Sequence, residues 1–169
     1  MSKTEWWQRG PIEGVADALQ PVAHQLLQVR ESVGELVEGL SEAEWNARPA
    51  NIASAAFHVR HITGVIDRLF TYARGESLND EQFVALRSEG DHLSASDVSA
   101  ARSALDTRIN AALAQLRSTD PSTLGEFRSI GRAKLPSSVI GCLARWRDHV
   151  ADFSTGRDVS LDHSLHDPG

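Results

Sequence analysis

The sequence predicts an all-α protein, a four-helix bundle with two short extra helices in its connections. Three observations carry that expectation. Four long amphipathic stripes recur at helical spacing, the connections between them are short, and no segment shows the period-two alternation of a strand. At 169 residues the chain is expected to form one domain with a real core.

The first stripe runs Ile12, Val15, Leu19, Val22, Leu26, Val29, Val33, Leu36, Leu40, in steps of three and four. It predicts one long helix packing at a shallow angle. Pro11 suits a first-turn position, and Pro21 is expected to kink the helix. LSEAEW then places Ser41 as N-cap with Glu44 three residues on, a capping box for a short helix that Pro49 ends. The second stripe is Ile52, Ala55, Val59, Ile62, Ile66, Leu69, Ala73, stopping before Gly75. Asn79 with Gln82 is set to cap a short helix through Arg87, with Gly90 as its stop. Ser94 with Asp97 is set to cap the third stripe of Val98, Ala101, Leu105, Ile109, Ala112 and Leu116, which Asp120-Pro121 ends. LGEFRSIGRAKLP has no clear period and reads as an ordered loop or a short hairpin. The last helix is expected to start near Pro136, to bury Val139, Leu143, Trp146, Val150 and Phe153, and to end at Gly156. The expected organisation is an N-terminal extension over 1–10, the bundle over 11–156, and a tail over 157–169.

Composition excludes some function classes. The formal charge is −6, and lysine occurs only at Lys3 and Lys134, so a nucleic-acid backbone is not the expected partner. A single cysteine, Cys142, excludes an intrachain disulfide. No apolar run reaches the roughly 18–20 residues of a membrane span, and MSKTEWWQRG lacks the apolar core of a signal peptide. A cytoplasmic location is expected, with no membrane partner.

Bundles build metal and ligand sites from side chains on facing helices. At about 100° per residue, His58 falls roughly 65° from the centre of its helix's apolar stripe, at the edge of the core, and His61 roughly 125° away, toward solvent or a partner. His149 borders the last stripe, with Asp152 three residues on, so the two share a face. Imidazoles with a carboxylate suit zinc, nickel or iron. The structural alternative for each histidine is a hydrogen-bonded residue at a core edge. His24 is expected to be exposed, His92 to lie in a loop, and His163 and His166 to lie in the tail. Cys142 is expected to be a small buried apolar group. The tryptophans Trp6, Trp7, Trp45 and Trp146 read as packing anchors, with Trp6-Trp7 alternatively covering a dimer surface. GxSxG, P-loop, GxGxxG and HExxH motifs do not occur.

The run PANIASAAFHVRHITGVIDRLFTYARGESL resembles the second helix of DinB-like proteins, the superfamily that includes bacillithiol transferases and mycothiol-dependent enzymes. QPVAHQLLQVRESV and GRAKLPSSVIG resemble the same family, and together the likeness covers roughly residues 12 to 155. It implies a four-helix bundle, often a homodimer, and in many members a zinc or nickel ion held by three histidines. One of these comes from the second helix, and two, four residues apart and followed by Gly-Gln, from the last. Such members transfer thiol cofactors or do related metal-assisted chemistry on a small-molecule or thiol substrate. Carried over, His58 matches the second-helix ligand and His149 the first of the last-helix pair. Phe153 falls where a histidine is expected, whether the last helix is aligned with or without a gap, and Gly156-Arg157 stands for Gly-Gln. Asp152 is the candidate substitute ligand and His61 an alternate or outer one, while Arg145 and Arg157 favour an anion nearby. Three readings stay open: a metal-dependent transferase or hydrolase-like protein, a metal-free cleft for a small ligand, and a dimeric interaction scaffold.

Overall fold

A computed structural model of the chain describes residues 4–131 and 133–155, and within them the side chains of all but residues 51 and 148–155. The elements are α1 (Gln20–Val37), α2 (Glu42–Asn46), α3 (Ala55–Ala73), α4 (Asp80–Arg87), α5 (Ala95–Ser118), strands β1 (Phe127–Ile130) and β2 (Leu135–Ser138), and α6 (Val139–Thr155). The fold is mostly helical, with one small antiparallel sheet.

The first helix is shorter than its stripe. It starts at Gln20, and Pro21 stands in its first turn rather than at a kink, where its missing N–H costs nothing. The preceding residues form no α-helix but still feed the core, with Val15 and Leu19 buried. Gln20 pins them: its side chain accepts from the Ile12 amide at 2.8 Å and donates to the carbonyls of Ile12 at 3.0 Å and Val15 at 2.8 Å. At the other end Leu36 is exposed, and Val37 takes the buried place the stripe assigned to Leu36.

Both short helices and α5 start as expected. Ser41 with Glu44, Asn79 with Gln82, and Ser94 with Asp97 each form reciprocal capping boxes. Ser54 caps α3 by accepting from the Phe57 amide, and Gly75, at φ 78°, turns the chain out of it.

The aperiodic segment is a hairpin, with Phe127 opposite Ser138 and Ile130 opposite Leu135. Pro136, expected near the start of the last helix, lies instead in β2. Ser138, whose hydroxyl accepts from the Gly141 amide at 3.2 Å, provides the helix start two residues later.

Helix α3 is the centre of the molecule. It packs against α2, α4, α5, α6 and β1, while α1 packs against α5 and α6. Arg128 of β1 donates to the Ala73 carbonyl at 2.8 Å, which fixes the hairpin at the C-terminal end of α3. Helix α6 leaves that hairpin and returns along α3. Trp45, Trp146, Ile62, Ile66, Leu69, Ile109, Leu116 and Leu143 are among the large, fully buried side chains of the core. Trp6 is half-buried against α1, its amide donating to Gln28 at 3.3 Å, so residues of the N-terminal extension belong to the packed body. Trp7 is exposed. Among the described residues no helix is long and apolar enough to cross a membrane.

Candidate functional site

His58 and His61 stand three residues apart on α3, and both are buried, with 3% and 2% of their surface exposed. Burial corrects the expectation that His61 faces solvent or a partner. A helix with one apolar stripe would leave His61 outside, but α3 is enclosed on several sides and so has buried positions almost all round.

Burial alone would isolate a polar ring, and the fold supplies a partner. The chain turns after α4 and drives Glu89 inward to 3% exposure. One carboxylate oxygen, Oε2, accepts from His61 Nδ1 at 2.7 Å, and the other, Oε1, accepts from Arg68 Nη1 at 2.8 Å. Since a carboxylate engaged by arginine only accepts, His61 donates from Nδ1, and its neutral form carries its lone pair on Nε2. Phe57 stacks on His61, with ring centroids 5.3 Å apart and planes 11° apart, and meets His58 edge-on at 5.7 Å.

Gly64 makes the ion pair possible. A Cβ there would stand 2.5 Å from Glu89 Oε1 and 2.6 Å from Arg68 Nη1. A glycine in mid-helix costs about 1 kcal/mol relative to alanine, and here the missing methyl is the space the two charges occupy. Residues 61, 64 and 68 share one face of α3, a polar stripe beside the apolar one. A cavity of about 190 Å³ between α3, α4 and α5 has Gly64 and Glu89 in its wall.

The remaining sequence candidates divide as follows. His149, Asp152 and Phe153 belong to α6, and their side chains lie outside the described residues, as do those of Val150 and of Gly156, Arg157, His163 and His166 beyond it. A helix rises about 1.5 Å per residue, so the last turns of α6, leaving the C-terminal end of α3, come back to the level of its N-terminal half, where His58 and His61 stand. His24 is half-buried rather than exposed and donates from Nε2 to the Gly10 carbonyl at 2.9 Å. His92 is exposed in a loop, as expected. Cys142 is buried and unpaired, and burial pushes its thiol above the ordinary 9.0, which leaves it protonated and inert at neutral pH.

The residues present fit a divalent metal in part. A ligating histidine almost always donates its second ring nitrogen to a carboxylate or carbonyl, and His61 with Glu89 has that arrangement. Among the described residues no three His, Cys, Asp or Glu side chains gather into a complete ligand set.

Glu89 and Arg68 are the members that sequence reasoning missed. Glu89 sits in the string Ser88-Glu89-Gly90-Asp91, which has no period and reads as solvated. The available signal was the spacing of His61, Gly64 and Arg68 along one face of α3.

Residues 25–152 match the family model described as the DinB superfamily, well over half of the chain. The chain belongs to the DinB superfamily. No curated protein matches it.

Proposed function

We propose that α1, α3, α5 and α6 form a DinB-type four-helix bundle that holds a zinc or nickel ion between α3 and α6 for thiol-transferase or hydrolase-like chemistry. The observation that carries this reading is the pair of buried imidazoles on α3, one of them oriented by a buried carboxylate at 2.7 Å. His58 and His61 are the ligands from α3, and His149 and Asp152 the candidates from α6. When bound, such an ion supplies Lewis acidity and lowers the pKa of a thiol or water. Glu89 fixes the tautomer and the ring orientation of His61, and Arg68 balances the buried negative charge. The substrate class in this reading is a small thiol or a small hydrolysable molecule.

A second reading, a metal-free member serving as a ligand-binding or dimeric scaffold, is favoured by Phe153 at an expected ligand position and by the Phe57–His61 stack, a feature of ordinary core packing. Metal analysis of protein purified without a histidine tag separates the two. The metal reading expects stoichiometric zinc or nickel, lost in His58→Ala and in His61→Ala, and zinc affinity lowered roughly 10–100-fold in Glu89→Gln. Protein that is metal-free as isolated and takes up no zinc in equilibrium dialysis establishes the scaffold reading instead.

A further inference from the structure

At the other end of α3 from His58 and His61, a cavity of about 780 Å³ opens between that helix, the segment leading into α4, and the hairpin. Its volume lies within the range of small-molecule sites. The lining divides by chemistry. Tyr72 of α3, Leu78 ahead of α4, Phe83 of α4 and Phe127 of β1 give an apolar wall, and Arg128 and Lys134 add positive charge. The acidic member, Glu76, is already engaged by Arg74 at 2.7 Å. Arg128 is held in place, donating to the Ala73 carbonyl and pairing with Glu126 at 3.1 Å. Among the described residues no carboxylate pairs with Lys134.

Two features distinguish the hairpin side of the cavity. Phe127 leaves 68% of its surface in water although it borders a cavity. Lys134 holds φ at +49°, in the left-handed region that favours glycine, at the end of a turn closed by its amide to the Gly131 carbonyl at 3.1 Å. A glycine would relieve that backbone but remove the ammonium group.

We propose that this cavity binds a small amphipathic carboxylate, an aromatic or short-chain acid, with its apolar part against Tyr72, Phe83 and Phe127 and its carboxylate at Lys134. The site is independent of any metal at His58 and His61.

Calorimetric titration of the full chain with hydrocinnamate, and with hydrocinnamyl alcohol as its uncharged counterpart, tests this. Saturable binding of the acid is expected, with the alcohol binding more weakly. Lys134→Gly should weaken the acid about fivefold without touching the alcohol, and should leave the melting temperature unchanged or higher because glycine accepts the φ. Phe127→Ser, at an exposed position, should weaken both ligands. Three results overturn the proposal: no saturable binding of the acid, equal binding of acid and alcohol with no effect of Lys134→Gly, or a chromatographic mass that falls in Phe127→Ser, which would make the cavity wall a contact between copies of the chain.

Discussion

At the scale of single residues, the cluster around Glu89 is where the most depends on the least. Gly64→Ala gains helix propensity of about 1 kcal/mol but forces a methyl to 2.5 Å from a carboxylate oxygen locked by two partners. Overpacking of this kind costs about 1–3 kcal/mol, and losing the geometry of a buried ion pair adds to it. The clash wins, so Gly64→Ala is expected to lower stability by about 1–2 kcal/mol in urea denaturation. A variant as stable as the wild type would mean that Glu89 can leave its buried position freely. His58 was legible as a core-edge histidine. The partner of His61 was not, because the bond from His61 to Glu89 spans 28 residues and nothing local in Ser88-Glu89-Gly90 announces burial.

At the scale of elements, the chain's local chemistry was easiest to read where side chains bond their own backbone. Three capping boxes placed the starts of α2, α4 and α5 correctly, because each is a contact over three residues and owes nothing to tertiary packing. The stripe of the first helix was harder. Its period located Val15 and Leu19 in the core, yet that segment meets its hydrogen-bonding needs through Gln20 rather than through a helix, a choice periodicity alone does not contain. Two of the capping carboxylates also carry a pH signature. Hydrogen bonds from the Ser41 side chain and amide hold Glu44 below the ordinary 4.5, and the same bonds from Ser94 hold Asp97 below 3.8. A carboxyl group that is more acidic when folded stabilises the fold above its ordinary value and loses that contribution as pH falls through the lowered one. Ser41→Ala with Ser94→Ala is therefore expected to lower the melting temperature by about 2–4 °C per cap near neutral pH. The difference from wild type should shrink as pH falls below the ordinary carboxylate range, where the two lowered carboxyls protonate in the folded protein. A difference that stays constant down to pH 2 would show that the carboxylates add nothing to the serine caps.

At the scale of the whole molecule, the elements are held very unequally. Twelve of the nineteen residues of α3 are buried, whereas α4 buries none. Among its attachments Gln82 donates to Asp67 at 2.9 Å and to Thr71 at 3.0 Å, and the turn that follows α4 ends at Glu89. Such an element belongs to the low end of the local-opening scale, and a central one to the high end. Native-state hydrogen exchange should thus find the amides of α4 protected least among the helices longer than one turn, and those of α3 close to the global unfolding limit. Gln82→Ala should speed α4 further without moving α3. Equal protection of the two helices would show that α4 opens only when the whole protein does. The central place of one helix also explains why the fold class was legible while the site was half so. Apolar spacing reports that a residue is enclosed, but it does not report by which of several neighbours.

The anchorage of Glu89 has a consequence of its own. This carboxylate is delivered to the interior by the two residues that follow a helix with no buried side chain, so its grip on His61 lasts only as long as that helix stays down. An opening that lifts α4 together with that turn breaks the bond from His61 Nδ1 and takes from Arg68 this counter-charge. The lifetime of the closed interval then sets how long that bond persists.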